Sequence, residues 1–181
     1  MYETERLILK VIDEEYSFQV ACYYRRNLEY LKPWETERKD MFYTVKFQRS
    51  QIKRDLIDIR DGKLLRLWIF KKDERKTLIG NISFSSIIRG NFLSCYLGYK
   101  LDKGEANNGY ITEALKKGIE IIFNDYKLHR IEACIMTNNK SSIKVAQKLG
   151  FINEGITRSY LKINGKWQDH IKMVLLNENI V

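Results

Sequence analysis

The sequence of 181 residues predicts a mixed α/β (α+β) fold: a mostly antiparallel sheet of about seven strands flanked by about four helices, ordered β-α-α-β-β-β-α-β-α-β-β. Three apolar, strand-like runs at 65–70, 77–88 and 92–101 follow one another with only turns between them. An amphipathic helical stretch then separates the third run from a strand at 129–136, the spacing of a parallel crossover. The chain closes on two runs joined by Asn164-Gly165, a dipeptide whose tolerance of positive φ suits a two-residue hairpin.

Arg6-Leu7-Ile8-Leu9-Lys10-Val11 alternates as a first strand, with Leu7, Leu9 and Val11 on one face. Asp13 suits the N-cap of a helix running to about Asn27. Pro33 interrupts any helix at its position and pushes Lys32 towards extended backbone. Trp34 is left on a loop, as either a lid over a core edge or a wall of a binding site. A second helix covers about 43–61 and ends at Gly62. The meander is punctuated by the charged turn 71–76 and by Arg89-Gly90-Asn91. In the helix over 111–126, Ile111, Ala114, Leu115, Gly118 and Ile122 share a core-facing stripe, with Lys116, Lys117 and Glu120 opposite. Asn139 opens a short helix with Ile143, Ala146 and Leu149 inward, and Gly150 ends it. The final strands cover about 155–163 and 166–176.

One domain, residues 1–181, is expected from the length, the 44% hydrophobic content, the single proline and the lack of linkers or repeats. Cys22, Cys95 and Cys134 are isolated, an odd set with no disulfide framework. The polar start Met1–Arg6 is no signal peptide, and no apolar run reaches membrane-spanning length, so a cytoplasmic protein is expected. The net charge of +9 draws phosphates, whether of a nucleotide cofactor, RNA or a ribosome, unless it only solvates the surface. Its spread along the chain argues against a dedicated nucleic-acid arm.

Neither G-x-G-x-x-G nor G-x-x-x-x-G-K-[ST] occurs, and no nucleophile elbow is present. Two separate histidines and three scattered cysteines have no metal-ligand spacing. The stretch 105–114, Glu105-Ala106-Asn107-Asn108-Gly109-Tyr110-Ile111-Thr112-Glu113-Ala114, is the informative one. It is a polar turn running into a helix, where unpaired N–H groups and partial positive charge suit an anion. Gly109 has no Cβ to keep a phosphate from the backbone. The competing reading is a plain helix end capped by an asparagine.

Thr4-Glu5-Arg6-Leu7-Ile8-Leu9, Leu31-Lys32-Pro33-Trp34, Gly109-Tyr110-Ile111-Thr112-Glu113-Ala114, Asn139-x-x-Ser142, Leu149-Gly150-Phe151, Glu154-Gly155 with Arg158, and Asn164-Gly165-x-Trp167-x-Asp169 occur in this order. Together they resemble the GNAT superfamily of N-acetyltransferases, above all its Rim-type ribosomal-protein members, over nearly the whole chain. The resemblance implies acetyl-CoA as cosubstrate and no metal. It implies a pyrophosphate on the amides of Asn107, Asn108, Gly109, Tyr110, Ile111 and Thr112. The pantetheine arm would run along Lys100 and Leu101 and meet Asn139, which is also an apt N-cap for its own helix. Ser142 stands where the family places a donor to the departing sulfur, and is otherwise an ordinary first-turn serine. A backbone N–H near residues 99–101 would hold the carbonyl oxygen.

The sequence departs from the family's Gln/Arg-x-x-Gly-x-Gly/Ala: Ala106 and Ile111 stand at its first and last positions. Some relatives carry a glutamate five residues before the asparagine and a tyrosine seven after it. Here those positions are Cys134 and Ala146. Glu132, Glu35, Asp169 and His170 remain as candidate bases. We assign Trp34, Glu35 and Asp169 to the acceptor side. The expected activity is direct acetyl transfer to a primary amine, foremost a protein N-terminal α-amine, possible partners being ribosomal proteins, by a monomer or homodimer. Small amines such as polyamines, amino acids or aminoglycosides are the alternative acceptors. A non-catalytic CoA- or RNA-binding module is the alternative of another class, with direct nucleic-acid binding the weaker expectation.

Overall fold

The computed structural model describes residues 1–73 and 77–178. Its strands are β1 (Tyr2–Glu3), β2 (Leu7–Lys10), β3 (Leu64–Lys71), β4 (Leu78–Ile88), β5 (Ser94–Leu101), β6 (Arg130–Met136), β7 (Ile152–Ile163) and β8 (Lys166–Leu176). They form one sheet in the order β1-β2-β3-β4-β5-β6-β8-β7. Its helices are α1 (Ser17–Arg26), the single turn α2 (Leu28–Leu31), α3 (Val45–Arg60), α4 (Tyr110–Asn124) and α5 (Lys140–Lys148). The expected order holds. The eighth strand is β1, whose two residues are too few to show a period.

Both faces of the sheet are covered, and β2 shows why. Leu7 and Leu9 join one apolar cluster with Leu67, Ile82, Phe84, Leu115 and Ile122, the layer under α4 and α5. Ile8 joins the other, with Val20, Tyr23, Ile52, Trp68 and Phe70, the layer under α1 and α3. Each such side chain taken out of water contributes about 1.5–3 kcal/mol. Val11 lies beyond the end of β2 and is exposed. A Cβ on Gly118 would lie 2.6 Å from Ile82 Cδ1 and 2.8 Å from Phe84 Cε2, so α4 sits directly on β4.

Several local expectations shift. Asp13 caps a short 3-10 turn ahead of α1 through its bond from Glu15 N, 3.0 Å. Thr44, accepting from Phe47 N, caps α3. Lys32 is helical (φ −48°, ψ −41°) rather than extended, because its N–H still bonds Leu28 O at the end of α2 and Pro33 opens a 3-10 turn instead of a loop. Strand β7 starts at Ile152, earlier than expected, since two register shifts and Gly155 at φ +119° break its alternation. Residues 74–76 of the expected charged turn 71–76 lie outside the described residues.

The feature that makes a site is the β5–β6 pair. It is parallel, as expected, but matches only Ser94↔Arg130, Cys95↔Ile131 and Tyr96↔Glu132. Beyond those residues β5 continues against β4 as far as Gly80↔Leu101, and β6 continues against β8 as far as Met136↔His170. The facing edges of residues 97–101 and 133–136 therefore separate into a wedge. The chain leaves β5 for the start of α4 and leaves β6 for the start of α5. Two helix N-termini follow the two lips of one opening.

Candidate active site

The turn before α4 is built for exposed amides. Asp102 anchors its start, accepting from Gly104 N (3.1 Å), Arg26 Nε (2.5 Å) and Asn27 Nδ2 (3.1 Å). Asn107 (φ +65°) and Gly109 (φ +79°) both take the left-handed conformation, which asparagine and glycine tolerate best. Gly109, not an asparagine, is the N-cap, and no side chain caps the helix. The first helical bond is Glu113 N to Gly109 O, 3.0 Å. Among the described residues, the main-chain N–H groups from Asn107 to Thr112 have no protein acceptor. Such groups at a helix start carry partial positive charge and suit an anion.

The first turn of α4 is clamped to the N-terminal segment. Glu113 Oε1 accepts from Thr4 Oγ1 (2.6 Å) and from Arg6 N (2.8 Å), while Oε2 accepts from Arg6 Nε (2.7 Å). Burial pushes the Glu113 carboxyl up, but these bonds and the Arg6 charge outweigh it and hold the group below the usual carboxylate range. Two motifs noted separately in the sequence, around Thr4–Arg6 and around Gly109–Glu113, are the two halves of one contact.

At the other lip, Asn139 Oδ1 accepts from Ser142 N (3.2 Å) and from Ser141 Oγ (3.0 Å), so the expected N-cap forms. Its Nδ2 has no acceptor among the described residues. Ser142 is half-buried, and its carbonyl accepts from the Tyr99 hydroxyl at 2.9 Å. That bond ties the far end of β5 to the first turn of α5. Burial pushes the Tyr99 phenol up to about 12, so it remains a donor. The role of the Tyr99 side chain was missed by sequence reasoning. Alternation with Cys95 and Leu97 would have placed it on the α4/α5 side.

On the opposite side lies a cleft of about 250 Å³, lined by Tyr24, Leu31, Lys32, Glu35, Tyr43 and Asn164 among others. Glu35 pairs with Lys100 Nζ and lies 3.8 Å from Arg38 Nε. Lys100 thus joins the end of β5 to the cleft wall. Asn164, read from sequence only as a turn residue, donates to Lys32 O at 2.7 Å and brings the β7–β8 hairpin onto the cleft. Trp34 sits in the 3-10 turn between Lys32 and Glu35, partly exposed, and does not line the cleft. Asp169 is exposed and accepts from Ser159 N at 2.8 Å, supporting a β7 residue at φ +47°.

Each candidate base has partners. Glu35 pairs with Lys100, and Glu132 lies 2.7 Å from Arg130 Nε and 3.5 Å from Lys172 Nζ. Asp169 holds the Ser159 amide, and His170 is buried with Nδ1 3.0 Å from Gln168 O. Burial pushes the Cys134 thiol up, away from the thiolate a nucleophile needs. Among the described residues, no group of three His, Cys, Asp or Glu could hold a metal ion, and no helix is long and apolar enough to cross a membrane.

A parallel pair splayed open, with helix N-termini following both lips and a cleft beyond, makes a site open to an extended anionic ligand. Residues 6–152 match the family described as Acetyltransferase (GNAT) domain, and the chain belongs to that family. It is a GNAT N-acetyltransferase, and the cosubstrate of that chemistry is acetyl-CoA. The chain is 37% identical to the probable N-acetyltransferase YjcK of Bacillus subtilis (strain 168), covering 93% of this chain and 91% of that one. It is 33% identical to the ribosomal protein uS5-alanine N-acetyltransferase of Escherichia coli (strain K12), covering 95% and 88%. The ribosomal-protein-S5-alanine acetyltransferase of Vibrio fischeri superimposes with a TM-score of 0.93 at 31% identity, covering 98% and 97%.

Proposed function

We propose that this enzyme transfers acetyl directly from acetyl-CoA to the N-terminal α-amine of a protein, and that the acceptor is a ribosomal protein. The observation that carries the reading is the wedge between β5 and β6, with unclaimed amides at the start of α4 on one lip and Ser142 on the other. The residues present fit the cosubstrate. The amides of Asn107 to Thr112 suit a diphosphate, and the unpaired edge around Lys100 and Leu101 suits an amide-bearing arm. Asn139 can cap its helix through Oδ1 while Nδ2 donates to that arm. When bound, acetyl-CoA supplies an acyl group already activated as a thioester.

The chain's residues then have separate tasks. A main-chain N–H near residues 99–101 stabilises the developing oxyanion. The Ser142 hydroxyl donates to the departing sulfur, from a residue whose main chain is held by the Asn139 cap and the Tyr99 bond. Glu35 and the turn carrying Trp34 receive the acceptor, with Asp169 an outlying candidate on the hairpin. An α-amine titrates at about 8 and a lysine amine at about 10.4, so reaching a neutral lysine costs about 3 kcal/mol more. A site whose candidate bases are all partnered suits the α-amine. The similarity to a uS5-alanine acetyltransferase supports this acceptor class, and the +9 net charge accords with work beside ribosomal components. We read residues 1–181 as one domain, acting in the cytoplasm as a monomer or homodimer.

The test is thiol release from acetyl-CoA in the presence of two peptides. One has a free N-terminus and no lysine; the other has a blocked N-terminus and a free lysine. Turnover is expected on the first. Comparable kcat/KM on the second, or on a polyamine, would refute the α-amine assignment. Ser142→Ala is expected to lower kcat by about 10–100-fold while leaving the acetyl-CoA Kd within about twofold. An equal loss of cofactor affinity would make Ser142 a binding residue. Trp34→Ala is expected to raise the acceptor KM more than the acetyl-CoA KM, and the opposite order would remove that turn from the acceptor side.

A further inference from the structure

Between Lys103 and Lys116 the chain has no lysine or arginine. The turn assigned above to the diphosphate therefore brings main-chain donors and no cation of its own, and Ala106 offers only a methyl group. The sheet supplies a cation from more than 100 residues away: Arg6 Nη1 donates to Asn108 O at 3.0 Å, across 102 positions. Arg6 Nη2 lies 3.4 Å from where a Cβ on Gly109 would be, and Cζ lies 4.6 Å from the centre of the Tyr110 ring. The guanidinium thus contacts Asn108 and the Tyr110 ring and lies against the face of Gly109 between them.

The geometry leaves this group able to act on a ligand. A guanidinium has five N–H donors. Nε donates to Glu113 Oε2 at 2.7 Å, Nη2 lies 2.7 Å from the same oxygen, and Nη1 donates to Asn108 O. One N–H remains on each terminal nitrogen, and the side chain is 44% exposed. Glu113, which also accepts from Thr4 Oγ1 and Arg6 N, balances the charge of the guanidinium and fixes it, so what Arg6 can offer a ligand is its remaining N–H donors on an exposed face. The carboxylate and the Tyr110 ring hold the guanidinium in place, a rigid fork of the kind that suits phosphate oxygens.

We infer that Arg6, placed just ahead of β2, lends the diphosphate site the guanidinium donors that the turn itself lacks. The inference rests on the acetyl-CoA reading and adds a residue to it. Its consequence is selective: Arg6 acts on the phosphate-bearing half of the cosubstrate and not on the pantetheine half.

Calorimetry with coenzyme A and with phosphate-free pantetheine tests this on wild type, Arg6→Gln and Arg6→Lys. Arg6→Gln is expected to weaken coenzyme A binding by about tenfold, and Arg6→Lys, which keeps the charge, by about threefold or less. Pantetheine affinity is expected to be the same for all three proteins, which also shows that the variants are folded. Coenzyme A affinity unchanged in Arg6→Gln would overturn the inference. So would an Arg6→Lys protein as weak as Arg6→Gln, since a purely structural tie to Asn108 and Glu113 would then explain the loss. Both outcomes leave the acetyltransferase reading standing, whereas a wild-type protein that binds no coenzyme A would remove that reading itself.

Discussion

Gly109→Val is expected to bind coenzyme A at least about a hundredfold more weakly than wild type, the loss of two or more well-placed charge-assisted bonds. Gly109 adopts φ +79° as the N-cap of α4. A β-branched residue there is strained by about 1–2 kcal/mol, and relieving the strain rotates the peptide planes on both sides. The amides of Asn108 to Ile111 would then cease to converge. The new side chain would also start 3.4 Å from Arg6 Nη2, on the surface where a phosphate must lie. Global stability should fall only modestly, because the site is a surface turn. Coenzyme A affinity equal to that of wild type would remove the diphosphate from this turn.

Gly80→Ala is expected to have the largest effect on stability of any single methyl addition considered, about 2–3 kcal/mol. Gly80 lies in the middle of the sheet, paired with Ile69 on β3 and with Leu101 on β4's other neighbour, β5. An added Cβ would collide with Lys100 O and lie 3.1 Å from Leu101 Cα. Those are backbone atoms, so relief requires moving the end of β5 rather than rotating a side chain. That end forms one lip of the wedge, and the acetyl-CoA KM should rise with the loss of stability. In urea, the midpoint should fall with an unchanged slope. A Gly80→Ala protein as stable as wild type would mean that β4 and β5 are less closely apposed than described.

The fold and the exposed helix start at Gly109 were legible in the sequence for local reasons. Helix α4 announces itself through the Ile111–Ile122 stripe, α5 through Asn139, and the last hairpin through Asn164-Gly165, each a rule acting within a few residues. What stayed hidden acts across the chain. Arg6 meets Glu113 across 107 positions, Asn164 meets Lys32 across 132, and Tyr99 meets Ser142 across 43. No periodicity encodes such pairs. The candidate bases show the same limit: Glu35, Glu132, Asp169 and His170 are equivalent as letters. Only their partners, Lys100, Arg130, the Ser159 amide and the Gln168 carbonyl, distinguish a committed group from a free one. Lys32 misled for a physical reason, since the bias of a residue before proline is weaker than the helical bond its own N–H makes to Leu28.

The central claim is that main-chain amides at the start of α4 hold a diphosphate while the β5–β6 wedge receives the rest of the cosubstrate. A crystal structure grown with coenzyme A tests it most directly. Phosphate oxygens are expected within hydrogen-bond distance of amides between Asn107 and Thr112, with the sulfur inside the wedge beside Ser142. Coenzyme A seated instead in the cleft formed by Tyr24, Glu35 and Asn164, with the α4 amides untouched, would contradict it.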